Sequence, residues 1–238
     1  MIGWVAGSIA VLLIAYAAIG ESLWGWVEYR RLVARRESDP RALVRVYRIV
    51  FAVQWSWTAL VLLAVAASPG LTLAGIGLSL PQSDEGVWPL AAGFAMAVVA
   101  SGIAMRRAAH KGGTVPGQAA YAALLPRTRA ERMHAAGAAI TAGVCEEILY
   151  RGFFIAVGVS LFHLPLEWAA VASAAIFLVG HIYQGWAGAL GLTALTAVFT
   201  LLYLRSGSLL VPIILHALVD LRALLLVPAS PAAAGKGD

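Results

Sequence analysis

Three apolar stretches of this chain hold six ionisable side chains. Glu146, Glu147 and Arg151 fall within GVCEEILYRGF (143–153), His181 follows FLVG, and His216 and Asp220 bound HALVD. An ionised side chain near the centre of a bilayer costs roughly 2.5–3.5 kcal/mol on insertion scales, so each needs a partner, a wet cavity or a task. Spacing sorts them. On a helix Glu147 and Arg151 are i,i+4 neighbours with the carboxylate first, the better orientation for an ion pair, while Glu146 points about 100° away. His216 and Asp220 make a second such pair, and Phe177 and His181 a third that sets an aromatic ring beside an imidazole. Of these carboxylates, Glu146 is the one without a partner in its own helix, which leaves it to accept a proton.

The elements that must position these groups are membrane helices. The chain has 238 residues, 61% of them hydrophobic and 12% charged. Its apolar stretches reach about 18 residues or more, the length that spans a bilayer. The fold class expected is all-α, a polytopic bundle of transmembrane helices. Seven spans are predicted near 4–23, 50–67, 88–105, 135–162, 167–184, 187–204 and 208–227, with an eighth allowed. The first begins without a basic region and ends without a small-residue cleavage site, so it reads as a retained span. Most tryptophans fall near span ends, as an interfacial belt requires.

The net charge of +5 would suggest nucleic acid in a soluble protein. Here, however, seven Lys/Arg lie between spans one and two and six between spans three and four, against Arg205 alone on the opposite side. That asymmetry excludes a nucleic-acid partner. It predicts a multi-pass protein of the cell membrane with the N-terminus outside and the C-terminus cytoplasmic. The single cysteine, Cys145, rules out an internal disulfide, and packing is the simpler reading of it than nucleophile. In LLPRTRAERMHAAG, Pro126, Thr128 and Glu131 form a helix-start signal of capping-box type, read as a helix lying on the inner leaflet. The loop 68–87 is rich in Gly, Pro and Ser and is expected to be irregular.

Depth decides whether the six can meet. Counted inward from the cytosolic end, Glu146 and His216 lie about 18 Å deep, Asp220 about 12 Å and His181 about 5 Å. A shared cavity open to the cytosol is allowed, provided that span five tilts or continues past residue 184. Buried ion pairs that fix packing, or an ion path through a transporter, are the competing readings. Two Gly/Pro-broken helices in an inverted repeat, which would mark a transporter, are not found.

The three motifs resemble those of the CPBP intramembrane proteases, a family that includes the CAAX prenyl endopeptidases of the Rce1 type and the bacterial Abi proteins. EEILYR resembles EExxxR, FLVGH resembles FxxxH, and HALVD resembles HxxxN/D, with Asp220 where the prenyl endopeptidases usually have Asn. The likeness covers roughly residues 124–228, and the first three spans match only in kind. It implies a three-span N-terminal region (1–110) and a catalytic helical core (111–228), while the composition of VPASPAAAGKGD predicts a disordered tail (229–238). It further implies that Glu146 with His181 activates a water, that His216 with Asp220 stabilises the oxyanion, and that Glu147 and Arg151 hold the first motif helix in place. The partners expected are a peptide or membrane-protein substrate and the lipid bilayer, and the alternative is a non-catalytic scaffold of the same family.

Metal use stays open in the sequence. The HExxH spacing of zinc peptidases is absent. Zinc, if used, would take Glu146, His181 and His216. The metal-free mechanism is slightly preferred, because His216 already has Asp220 in its helix and no third histidine lies at comparable depth.

Overall fold

The computed structural model describes residues 3–82, 86–111, 118–182 and 185–227. The tail expected to be disordered, 229–238, lies outside them. Apolar stretches this long become helices because a bilayer offers no outside partner for backbone N–H and C=O groups. Among the described residues there are helices and turns and no strand.

A first helix runs from Trp4 to Arg35 with one π turn at Tyr16–Gly20. Ala42–Ala66 and Val87–His110 follow, then a short 3-10 segment at Gln118–Leu124. Next comes a long helical rod built of Arg129–Glu146, a π segment at Glu147–Phe154, and Ile155–Ser160. Leu166–Gly180, Gly185–Ser206 and Leu210–Leu221 complete the chain, the last running into a π turn at Arg222–Leu226. These seven helical stretches overlap the seven predicted spans in order.

Among the described residues four helices are long and apolar enough to cross a membrane: Trp4–Arg35, Ala42–Ala66, Val87–Ala109 and Gly188–Ser206. Leu166–Gly180 is apolar but shorter. The rod 129–160 and the helix that holds His216 are not among the four. They bear Glu146, Glu147, Arg151 and His216, all buried, as ionisable groups within a membrane bundle must be.

Several predicted ends are corrected. The first helix continues to Arg35, well past residue 23. Thr128 does cap a helix, with Glu131 completing the capping box, but the segment is not a separate helix on the inner leaflet. It is the first turn of the rod, which therefore starts at residue 129 and not at 135. The fifth helix ends at Gly180 with His181 as its C-cap, and residues 183–184, to which the predicted span ran, lie outside the described ones.

The rod sits at the centre of the bundle. Its first half lies between Ala42–Ala66 and Leu210–Leu221, and its second half packs on Leu166–Gly180. Gly143 makes the closest crossing: a Cβ there would stand 2.9 Å from the Ala217 backbone nitrogen and 3.0 Å from the Ile213 carbonyl oxygen. Only glycine lets two backbones approach so closely.

The start of the rod is bolted to the end of the first helix. Arg36 Nη1 and Nη2 donate to the two Glu131 oxygens at 2.7 and 3.0 Å, and Nη2 also reaches the Leu125 carbonyl at 3.3 Å. Glu131 accepts from the Arg127 and Thr128 backbone N–H groups as well. Burial pushes the Glu131 carboxyl up, but the Arg36 guanidinium and these N–H donors outweigh it and hold it below the ordinary value.

Candidate active site

The π segment begins at Glu147, directly after Glu146, and each π turn holds more residues than an α turn. Such bulges recur at functional positions because they re-aim side chains at low cost to the helix. Glu146, Glu147, Tyr150 and Arg151 are all buried here.

Glu147 is the hub of one half of the site. Its Oε1 accepts from Arg151 Nη1 at 3.0 Å and from His216 Nδ1 at 2.7 Å. Arg151 is held from its faces by aromatic rings, 4.6 Å from the Phe177 centroid and 5.9 Å from that of Phe199. Phe199 in turn stacks on the His216 imidazole at 5.5 Å. With Nδ1 turned to Glu147, His216 presents Nε2 between Glu146 Oε2 at 3.8 Å and Asp220 Oδ2 at 3.7 Å. Asp220 is thus the i,i+4 neighbour that spacing predicted, within ion-pair distance at 3.7 Å, while the hydrogen bond of His216 goes to Glu147. The tight partner comes from another helix.

Glu146 heads the other half. Gln54, from Ala42–Ala66, donates Nε2–H to Glu146 Oε1 at 2.7 Å, so Glu146 is partnered across helices and not within its own. His181 Nδ1 lies 2.9 Å from the Phe177 carbonyl, which acts as its acceptor, and its ring packs 4.4 Å from the Phe177 ring. That bond turns Nε2 away from the helix. Glu21, on the first helix, accepts a hydrogen bond from the Tyr150 hydroxyl. Ligand atoms of Glu21, Glu146 and His181 all lie within 4.8 Å of one another.

These distances join all six residues singled out by spacing into one connected group. Three further polar residues enter it that spacing did not identify. Glu21 was within reach of the same argument, since it lies inside the predicted span 4–23 and carries a charge there. Gln54 is a polar residue in the middle of span 50–67, a weaker signal of the same kind. Tyr150 offered none, because a tyrosine in an apolar helix is ordinary.

A cavity of about 40 Å³ adjoins Arg151, Thr196, His216 and Asp220, walled by Phe177 and Phe199. That is room for about one water, whose share of liquid volume is roughly 30 Å³. Arg151 Nη2 and Thr196 Oγ1 are buried without a hydrogen-bond partner, which marks this side as the one where a polar group is wanted. A larger open groove, about 590 Å³, lies along Trp4, Gly7, Ser8, Val11, Leu12 and Leu161. It holds no titratable side chain and has no part in this chemistry.

The metal set offered by the sequence, Glu146, His181 and His216, is not the one that converges. Among the described residues Glu21 takes the place of His216, whose Nδ1 is engaged by Glu147. Two carboxylates and an imidazole are a donor set that zinc-class ions accept, so these residues fit such an ion.

Residues 129–222 match the family described as type II CAAX prenyl endopeptidase Rce1-like. No curated protein and no solved structure matches the chain. The matched segment contains all six motif residues, whereas Glu21 and Gln54 lie before it. From residue 129 to residue 222, therefore, the chain is similar to the family of Rce1-like type II CAAX prenyl endopeptidases.

Proposed function

We propose that the chain is an intramembrane endopeptidase that hydrolyses a peptide bond of a membrane-associated protein or peptide near the cytosolic leaflet. The observation that carries this reading is Glu146: a buried carboxylate held by Gln54 through one oxygen, with the other facing His216 Nε2 at 3.8 Å. That gap is too long for a hydrogen bond and suits an inserted water or carbonyl oxygen.

The steps balance on these side chains. A water held between Glu146 and His181 gives its proton to Glu146 as its oxygen adds to the substrate carbonyl carbon. The carbonyl oxygen becomes an oxyanion and accepts from His216 Nε2–H. For Nε2 to donate while Nδ1 donates to Glu147, His216 acts in its doubly protonated form, with Glu147 and Asp220 as counter-charges. Glu146 then returns the proton to the amide nitrogen as the C–N bond breaks, leaving a carboxylic acid and an amine. Arg151 holds Glu147 in line with His216 and does not touch the substrate. A divalent ion held by Glu21, Glu146 and His181 would supply Lewis acidity and a more acidic water.

In the same reading the seven helices cross the cell membrane seven times, with the N-terminus outside and both basic loops in the cytosol, because the Lys/Arg asymmetry favours that orientation. The crossing of the rod, predicted over 135–162, is tolerated despite Glu146, Glu147 and Arg151 because these pair inside the bundle, while its first turn with Glu131 protrudes into the cytosol.

The test uses the full chain in proteoliposomes, incubated with membrane-anchored peptides and followed by mass spectrometry. Wild type is expected to release defined fragments. Glu146→Gln, nearly the same size, should lower cleavage by about 10²-fold or more, the usual range for loss of a general base, with unchanged folding. Equal turnover by that variant would sink the assignment. A non-catalytic scaffold would show no cleavage in either protein.

A further inference from the structure

Several hydroxyls on the helices of this protein bond back to the carbonyl four residues earlier, the nearest acceptor that a serine or threonine finds within a helix. Ser56 donates to the Ala52 carbonyl at 2.6 Å, Thr58 to that of Gln54 at 3.1 Å and Thr193 to that of Ala189 at 2.8 Å. Thr196, three residues after Thr193 on Gly185–Ser206, does not. It is 2% exposed, its Oγ1 has no hydrogen-bond partner among the described residues, and it lines the cavity of about 40 Å³ beside the motif residues. A buried hydroxyl that forgoes its own helix needs an acceptor or donor elsewhere, and the cavity is where this one can find it.

The opposite wall is polar too. Arg151 meets Glu147 through Nη1 at 3.0 Å, and its Nη2 is buried with no partner. Asp220 brings a carboxylate to the same wall, and the rest is aromatic and aliphatic. A donor, an acceptor and a hydroxyl that can be either therefore surround one small space. By size it holds about one water, whose share of liquid volume is roughly 30 Å³. By charge it suits nothing else: a cation would face the Arg151 guanidinium and an anion would face Asp220, whereas a water accepts from the first and donates to the second.

We propose that this cavity is the binding site of one ordered water, held by Arg151 Nη2, Thr196 Oγ1 and the Asp220 carboxylate, and that Thr196 is thereby a positioning residue of the centre. Asp220 Oδ2 lies 3.7 Å from His216 Nε2, beyond direct hydrogen-bonding reach, so the carboxylate needs another hold to keep it facing the imidazole. The water supplies it. Both counter-charges of His216 are then fixed to one guanidinium, Glu147 directly and Asp220 through the water. Thr196 acts through the water without touching substrate, and it recruits a helix that carries none of the three motifs. The inference rests on the reading of His216 as the oxyanion donor of a peptidase, and deepens it by naming what aims Asp220.

Thr196→Val keeps the volume and removes the hydroxyl, and the sign of its effect on thermal unfolding separates a wet cavity from a dry one. With a water in place, loss of the hydroxyl leaves that water short of a partner, and the full chain in detergent should unfold about 2–4 °C lower. In a dry cavity the same change removes a buried unpaired group, so a raised unfolding temperature overturns the proposal. Thr196→Ser, which keeps the hydroxyl, should regain most of the loss. Thr193→Val, on the exposed side of the same helix, should stay near wild type.

On membrane-anchored peptides Thr196→Val should lower kcat by about 10-fold with KM nearly unchanged, and Thr196→Ser should restore it. A lower unfolding temperature with kcat intact, or a serine variant no better than the valine one, refutes the positioning role. If Thr196→Val does not fold, a structure of the wild-type protein at a resolution that shows ordered water decides. Density within hydrogen-bonding distance of both Arg151 Nη2 and Thr196 Oγ1 is expected, and a clear lack of it sinks the proposal. Cleavage by wild type together with a stabilised Thr196→Val removes the water site and leaves the peptidase reading standing. The expected unfolding pattern in a protein that cleaves nothing removes the peptidase reading and the positioning role, and leaves the water.

Discussion

His216 Nδ1 lies 2.7 Å from Glu147 Oε1, the same oxygen that Arg151 reaches at 3.0 Å. One carboxylate oxygen thus ties the third motif to the first, across two helices that touch through Gly143. The arrangement makes Arg151 a positioning residue for His216 through Glu147.

Removing Arg151 should therefore cost both stability and function. Arg151→Met leaves Glu147 buried with His216 as its remaining partner, and breaking a buried pair from one side typically costs about 3–5 kcal/mol. Thermal unfolding in detergent should show a clear drop. A variant as heat-resistant as wild type would mean that the pair is not structural.

Gln54 is expected to orient Glu146 without touching substrate. Gln54→Leu leaves Glu146 Oε1 buried and unsatisfied, a change of about 1–3 kcal/mol. The readout is the split between kcat and KM: a fall in kcat with KM nearly unchanged is expected. Loss of substrate binding with kcat intact would assign Gln54 to recognition.

The Arg36–Glu131 clamp makes an acid-side prediction. Glu131 titrates below the ordinary carboxylate value in the folded protein, so its contribution is present above the unfolded value and is lost as pH falls through the folded one. Arg36→Met should destabilise strongly at neutral pH, and the gap from wild type should narrow as pH drops through the carboxylate range. Unfolding curves at a series of pH values check this, and a gap that stays constant would show that the clamp does not act through the Glu131 charge.

Gly143 should tolerate no larger side chain. Gly143→Leu would force Ala217 and Ile213 apart, and overpacking of this kind typically costs about 1–3 kcal/mol. Because Ala217 adjoins His216, cleavage should fall along with stability. The comparison variant is Gly93→Leu, where a Cβ meets nothing within 4 Å, and little change is expected there.

Much of this molecule is legible from its residues in order. Long apolar runs dictate helices because the backbone must satisfy itself, so the seven helical stretches could be placed, though not their ends. The Glu147–Arg151 pair was legible too, since helical geometry alone sets residues four apart side by side. What spacing could not reach is contact between helices. It gave His216 its neighbour Asp220 along the helix, and packing added the closer bond to Glu147. It left Glu146 alone, while packing set Gln54, Glu21 and His181 around it. Periodicity determines which residues share a face of one helix, but which face meets which neighbour depends on how closely the backbones can approach. Gly143 and Gly180 show where that is decided: missing Cβ atoms bring Ala217 to the motif rod and Glu21 to the end of the fifth helix, and the site exists only where those approaches coincide.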